Sequence, residues 1–371
     1  MEFGIATLCS VPKYRYERDN DAEHSAIMND MNYIIAADRL GYKYGQITEH
    51  HFLEEYSHMS APEVCLGYLA HATSRIHLLA GIFSPMPHIN HPARLAERAA
   101  MLDHLSGGRV EIATGRGAGS YETLAFMSNL QNMDETKVVW EDVVPEIPKT
   151  WTQDTYEGHA SKYWNLPPRR VLPRPWASPH PPMWYAAGNV SSWEAAGRKG
   201  LGVLGFSIDN LNSAAKAVKA YKKAVRDAQP IGSYTNDYLM AVVFCAISYE
   251  REKAFGWMTG PEYAYNVSQM YRYHNTFPRP AGIPEWPRLL APMPREAIVE
   301  MQRNGSAIGT PEDALKAFKL WEEVGVDGVL VTCPPDHFAA VETIELIGRH
   351  IAPAIDKDPI HRTTRFRESC R

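Results

Sequence analysis

The chain has 371 residues, 45% hydrophobic and 22% charged, a balance that fits a packed globular protein and excludes disorder or coiled coil as a description of the whole. With 38 lysines and arginines against 43 aspartates and glutamates, the net charge of −5 supplies no field that would gather nucleic acid or anionic lipid. The longest apolar run, Tyr238 to Ile247, has half of the roughly 20 residues that a membrane span needs, so neither nucleic acid nor membrane is an expected partner.

From the N-terminus onward, short β-branched or aromatic runs alternate with stretches of helical period. Strands are expected over Phe3–Leu8, Tyr44–Thr48, Ile76–Phe83, Val110–Thr114, Met183–Ala187, Gly202–Ser207, Leu239–Ser248 and Gly328–Thr332. Helices are expected over Glu23–Leu40, Ala61–Ala72, Pro92–Leu105, Thr136–Thr152, Ser192–Lys199, Ser213–Asp227, Pro311–Val324 and His337–Ile351. Eight such alternations favour a closed (β/α)8 TIM barrel over an open doubly wound sheet. Boundary residues agree: Thr310-Pro311-Glu312-Asp313 reads as an N-cap, an N1 proline and an acidic first turn. No internal repeat or flexible linker divides the chain, so residues 1–355 are expected to form one domain, with 356–371 as a polar surface tail.

Between the seventh strand and the next helix lies an insertion, Glu250 to Met293, rich in aromatic residues (Phe255, Trp257, Tyr263, Tyr265, Tyr271, Tyr273, Phe277, Trp286) and punctuated by Pro278, Pro280, Pro284 and Pro287. In a barrel enzyme an insertion after a strand lies on the catalytic face, where it can serve as a lid over an apolar substrate; a subunit-packing surface or an extra helical layer is the equal alternative. The N-terminus carries no basic region followed by an apolar stretch, and Cys9, Cys65, Cys245, Cys333 and Cys370 are widely spaced without CxxC. The expectation is a cytoplasmic protein without a disulfide framework or structural zinc.

Several chemistries are excluded by motif. Gly200-x-Gly202-x-x-Gly205 matches a dinucleotide fingerprint as a string, yet it closes a helix and enters a strand, the reverse of what that fingerprint requires, so Gly200 reads as a helix terminator. There is no GxxxxGK[ST], GxSxG, HExxH or HxH, and His88 and His91 sit between Pro87 and Pro92 as loop histidines, so no metal is expected.

Three strand ends carry the remaining chemistry. The second strand runs into Glu49-His50-His51-Phe52, placing a carboxylate and two imidazoles on the catalytic face; histidine can hold or move a proton near neutrality, and a neighbouring glutamate can orient it. The fourth runs into Gly115-Arg116-Gly117-Ala118-Gly119, where glycines admit close approach and arginine offers a fork for phosphate. The fifth runs into Gly188-Asn189-Val190-Ser191-Ser192, a polar helix start suited to an anion. Two phosphate-type loops on one face suggest a phosphorylated cofactor.

These residues, with His91-Pro92-Ala93-Arg94-Leu95-Ala96-Glu97-Arg98, Leu102-Asp103-His104-Leu105-Ser106-Gly107-Gly108-Arg109, Pro182-Met183-Trp184-Tyr185-Ala186-Ala187-Gly188-Asn189 and Ile308-Gly309-Thr310-Pro311-Glu312, resemble the bacterial luciferase-like flavin-dependent monooxygenases. The resemblance implies a barrel that binds reduced FMN at the C-terminal ends of its strands, with oxygen adding at flavin C4a. It implies that His50, beside Glu49, assists that oxygen chemistry and proton transfer. It implies that Arg116 and Lys137 hold the phosphate, together with Gly188, Asn189, Ser191 and Ser192, and that Ser84, in Phe83-Ser84, stands where the family has an unusual peptide bond beneath the flavin. Gly115 replaces a reactive cysteine of the light-emitting member and Lys137 replaces an arginine, so ordinary monooxygenation is implied and light emission is not.

The leading reading is therefore a two-component monooxygenase: a separate flavin reductase supplies reduced FMN, and O2 is used to oxygenate a small apolar or aromatic substrate, in a protein expected to be a homodimer. A deazaflavin-dependent hydride-transfer oxidoreductase and a non-catalytic flavin-binding subunit are the alternatives.

Overall fold

The computed structural model describes the chain apart from residues 118, 128, 129, 131, 207–210, 275–278, 280 and 370–371, and the side chains of 367–369. Ala118, Ser207, Phe277, Pro278, Pro280 and Cys370 of the sequence reading thus lie outside the described residues.

Eight parallel strands form the barrel: β1 (Glu2–Thr7), β2 (Tyr44–Ile47), β3 (His77–Gly81), β4 (Val110–Thr114), β5 (Met183–Ala187), β6 (Gly202–Gly205), β7 (Leu239–Ile247) and β8 (Gly328–Thr332). Each pairs with its neighbour in sequence, and the ring closes where β1 pairs with β8 through Glu2↔Gly328 to Ile5↔Val331. The strands are buried on both faces, which is why they read as nearly continuous apolar runs without alternation. Tyr44, Leu79, Ala113, Trp184, Leu204, Tyr238, Met240 and Leu330 fill the interior as a packed core with no pore.

The expected helices are present, with one division. The stretch expected as a single helix, Thr136–Thr152, forms two, Glu135–Val143 and Glu146–Thr152, broken at Pro145, whose ring cannot continue the first helix. Thr310 and Asp313 form a reciprocal capping box ahead of Pro311–Val324. Gly200 takes φ +67 just beyond the helix Val190–Arg198, and a Cβ there would meet Pro230 at 2.7 Å, so it ends that helix as its position suggested. His91 caps the helix Pro92–Leu105, its Nδ1 accepting from Ala93 N–H at 3.2 Å.

β7 is longer than its neighbours. Its far half pairs with a short outer strand, Ala307–Gly309, and this extension carries the insertion. The insertion holds two helices, Arg251–Thr259 and Pro261–Tyr273, and a third, Arg295–Arg303, follows it; together with the β7 extension they build a separate small core around Phe255, Met258, Tyr263 and Ile298.

The tail does more than the polar surface extension expected of it. It buries His361 and Thr363 beneath the N-terminal end of the barrel, Arg362 N–H donates to Glu2 Oε1 (3.1 Å), and Lys43 Nζ donates to the carbonyl of Asp358 (2.6 Å). Among the described residues no helix is long and apolar enough to cross a membrane.

Candidate active site

At the C-terminal end of β2 the chain turns through Thr48-Glu49-His50-His51-Phe52 before reaching the helix Pro62–Ala72. Phe52 takes φ +62, an uncommon backbone for a bulky residue, beside both histidines. His50 is anchored through its backbone, its N–H donating to the carbonyl of Met59 (2.8 Å).

The carboxylate that meets His50 is not its sequence neighbour. His50 Nδ1 lies 3.1 Å from Glu122 Oε1, and the same oxygen accepts the backbone N–H of His51 at 2.9 Å. With Glu122 ionised the carboxylate only accepts, so that Nδ1 carries the proton in this pair and Nε2 is the nitrogen turned away from it. Glu122 sits on the short helix Ser120–Phe126 that follows the glycine loop, nearly buried, while His50 retains 13% side-chain exposure. Its sequence signal, an acid in the first turn of a short helix, is one that ordinary capping also produces.

Glu49 is turned elsewhere. Its Oε1 lies 3.0 Å from His51 Nε2 and accepts from Asn90 Nδ2 (2.8 Å), and its Oε2 accepts the N–H of Ser84 (2.9 Å). Asn90 also donates to the carbonyl of Ser84 (3.0 Å) and accepts from Arg98, which pairs with Glu63. Glu49 therefore ties the loop after β2 to the loop after β3, and the expected Glu49–His50 pair is replaced by Glu49–His51 and Glu122–His50.

The loop after β3 bears on the cofactor. The unusual peptide bond expected at Phe83-Ser84 lies two residues earlier, as a cis bond between Gly81 and Ile82. Ser84 is buried, and its hydroxyl has no hydrogen-bond partner, an orphaned polar atom on the catalytic face that a ligand group would satisfy. Gly115, at the end of β4, is equally constrained: a Cβ would meet Ile82 Cδ1 at 3.0 Å and Ala186 Cβ at 3.5 Å. A side chain there would crowd the end of β3.

β4 and β5 are adjacent, with Thr114 opposite Tyr185, so the two phosphate-type loops emerge side by side. Arg116, half-buried, donates from Nη1 to Thr136 Oγ1 at 3.4 Å, which brings it to the helix that carries exposed Lys137. On the β5 side Asn189 is the N-cap of Val190–Arg198; its Oδ1 accepts from Ser192 N–H (2.9 Å), Ser191 Oγ (2.8 Å) and Ser192 Oγ (3.0 Å). Both hydroxyls can turn outward, and the helix start favours negative charge. The guanidinium, the two hydroxyls and the helix start thus follow neighbouring strands at one end of the barrel, with Lys137 beside Thr136, a donor set of the kind a phosphorylated flavin needs.

The insertion reaches the same face. Tyr265 donates to Glu55 Oε2 (2.5 Å) and Arg272 to Glu54 Oε2 (3.0 Å), fastening the helix Pro261–Tyr273 to the loop that carries His50. Tyr273 lies near Tyr121 (5.6 Å between ring centroids), and His274 near Tyr56 (5.1 Å) and His50 (6.4 Å). Burial, reinforced by His50, pulls His274 down to about 4, so it is neutral at physiological pH. No sequence signal singled out Glu122 or His274, since each is brought to His50 by the closure of the barrel.

Comparison with known proteins identifies the family. Residues 1–328 match the model of the luciferase-like monooxygenases. The oxygenase component of a flavin-dependent trigonelline monooxygenase from Acinetobacter baylyi is 32% identical over 168 residues, 45% of each chain; limonene 1,2-monooxygenase from Rhodococcus erythropolis is 26% identical over 361 residues, covering 92% of this chain and 85% of that one. For the former and several other curated relatives, the match spans about half of their length. Among solved structures, monooxygenase RslO1 from Streptomyces bottropensis superposes with a TM-score of 0.75 (23% identity, 95% and 99% coverage). The oxygenating constituent of 3,6-diketocamphane monooxygenase from Pseudomonas putida, a complex with FMN, gives 0.71 (21%, 96% and 98%). An F420-dependent secondary alcohol dehydrogenase gives 0.68 (15%, 95% and 98%), so the fold serves both flavin and deazaflavin chemistry. With its closed barrel, its histidine at the end of β2 and a family match over most of its length, this chain belongs to the luciferase-like monooxygenases.

Proposed function

We propose that this protein is the oxygenase component of a two-component, FMN-dependent monooxygenase that oxygenates a small apolar or aromatic substrate. The observation that carries the reading is the His50–Glu122 pair, with Nδ1 held by the carboxylate and Nε2 turned away from it, on the face where the orphaned Ser84 hydroxyl and the two phosphate-type loops emerge. Reduced FMN, when bound, supplies the electrons that activate O2. Arg116, Lys137, Gly188, Asn189, Ser191 and Ser192 would hold its phosphate, and the Ser84 hydroxyl would find its missing partner on the cofactor. His50 Nε2 would hold or return a proton, Glu122 would keep that imidazole in its working tautomer, and Glu49 holds the two loops in place. The insertion acts as a lid: its Tyr273 and His274, packed against Tyr56 of the loop after β2, give the space near His50 an aromatic, uncharged wall and exclude water from it. The relative described as an oxygenase component supports a separate reductase as the source of reduced FMN. Val64 and Tyr68 on the helix Pro62–Ala72, with Met101 and Leu105 on Pro92–Leu105, are exposed apolar residues one turn apart on neighbouring helices and support a homodimer.

A second reading, hydride transfer with a deazaflavin coenzyme, is favoured by the F420-dependent structural neighbour, because the phosphate loops suit either cofactor. Oxygen uptake separates them. Protein supplied with chemically reduced FMN and candidate substrates is expected to couple oxygen consumption to substrate oxidation; tight deazaflavin binding with no coupling would establish the second reading instead.

A further inference from the structure

A second histidine–glutamate cluster lies at the opposite end of the barrel, where the proposed reaction does not use it. His77 opens β3 and Glu111 lies in β4, and both are fully buried. His77 Nδ1–H donates to Glu111 Oε1 (2.8 Å), and Trp184 Nε1–H donates to Glu111 Oε2 (2.8 Å). The tail lays His361 over this pair. The rings of His77 and His361 are parallel, 3.4 Å apart with 6° between their planes, and His361 Nε2 stops 4.0 Å from Glu111 Oε1. That nitrogen has no hydrogen-bond partner, in a residue only 5% exposed. A buried, unpartnered imidazole nitrogen facing a carboxylate is costly in a core, and this one shares a space with two other ligand-type atoms, all within 4.8 Å of one another.

We propose that His77, Glu111 and His361 form a site for a divalent ion of the zinc class, which clamps the C-terminal tail to the floor of the barrel. Two imidazoles and one carboxylate are a zinc ligand set, and tetrahedral coordination at about 2.0–2.1 Å separates the donors by roughly 3.3–3.4 Å. The observed separations of 2.8 and 4.0 Å bracket that value, and the two rings, stacked 3.4 Å apart and 6° from parallel, turn out of the stack so that both lone pairs meet one ion.

Proton positions change as the ion enters, without net loss of charge balance on the imidazoles. His77 binds through Nδ1 and moves its proton to Nε2, where Thr364 Oγ1, 2.9 Å away, accepts it. Glu111 coordinates through Oε1 while Trp184 continues to hold Oε2. His361 binds through Nε2 with its proton on Nδ1, which gives up the bond that Nδ1 accepts from Thr363 N–H (3.0 Å). Two hydrogen bonds, His77 to Glu111 and Thr363 N–H to His361, are exchanged for three coordination bonds. Lys43, the nearby cation, is balanced by Glu2 (3.8 Å) and Asp356 (3.5 Å). A groove of about 910 Å³ between the tail and the barrel floor is lined by His361 and Thr364 but not by His77 or Glu111, so an ion reaches the cluster only when the tail lifts.

Sequence spacing hides this cluster, because its members come from two barrel strands and the tail. It is tested on the full chain, freed of metal by chelation, by isothermal titration with Zn2+ and in parallel with Mg2+. One equivalent of Zn2+ is expected to bind and Mg2+ not, with a melting temperature that rises with zinc concentration. His361→Ala and Glu111→Gln should each abolish that equivalent; Glu111→Gln keeps an acceptor for Trp184 and decides the matter if His361→Ala loosens the tail. His51→Ala, on the catalytic face, should bind zinc as the parent does. Absence of stoichiometric binding, or binding that survives Glu111→Gln but is lost in His51→Ala, would overturn the proposal.

Discussion

The barrel carries a histidine–glutamate pair at each end, and the two differ in access more than in chemistry. At the catalytic face His50 and Glu122 lie 3.1 Å apart with side-chain exposures of 13% and 6%; at the floor His77 and Glu111 lie 2.8 Å apart with 1% and 0%. The upper pair lies beside aromatic side chains of the insertion, on the face that holds the orphaned Ser84 hydroxyl. The lower pair is sealed by the tail, stacked under a second imidazole and held on its far oxygen by Trp184. Residue type alone therefore does not distinguish the pair proposed to act on the flavin from the one buried at the floor. What distinguishes them is the strand end each occupies and what can reach it.

This contrast breaks most visibly at the floor. Glu111→Ala strips the acceptor from two buried donors, His77 Nδ1–H and Trp184 Nε1–H, and is expected to cost about 4 kcal/mol of stability by urea unfolding while leaving FMN affinity unchanged. A comparable effect on pH comes from His274 on the upper side. Folding holds its pKa at about 4, against roughly 6.5 in the unfolded chain, so its contribution is complete above pH 6.5 and is lost as pH falls towards 4. That loss amounts to about 3 kcal/mol, and His274→Gln should flatten this part of the stability profile.

Smaller effects sharpen the upper site. Arg116→Ala should weaken FMN binding by about 10- to 100-fold, the worth of one charge-assisted bond, with unfolding free energy unchanged within about 0.5 kcal/mol. Glu122→Gln keeps a hydrogen-bonding group beside His50 but no longer fixes its tautomer, and should slow the flavin–oxygen reaction by about tenfold with a shifted pH profile and unaltered FMN affinity.

The fold was legible because its strands are doubly buried: all eight appear as short apolar runs, and the helix starts are marked by Thr310-Pro311 and Asn189. The single long helix expected over Thr136–Thr152 failed at Pro145, a local breaker outweighed by good helical periodicity on either side. Within the site, the strand-end residues His50, Arg116 and Asn189 were legible, since a residue at the C-terminal end of a barrel strand has a defined location. Their partners were not. Glu49 and His50 are adjacent in sequence, yet successive residues of an extended segment point apart, so Glu49 turns to His51, Asn90 and Ser84 while His50 meets Glu122. His361 was hidden more completely, because a mixed-charge tail gives no sign that it will bury a histidine under the barrel.

Whether the upper pair works on a bound reduced flavin is decided by rapid mixing of the protein and reduced FMN with oxygenated buffer, following flavin reoxidation for the parent and for His50→Ala. Reoxidation is expected to be slower than that of free flavin in the parent, with the delay largely lost in His50→Ala although FMN still binds. Reoxidation at the free-flavin rate in the parent, or an undiminished delay in His50→Ala, would contradict it.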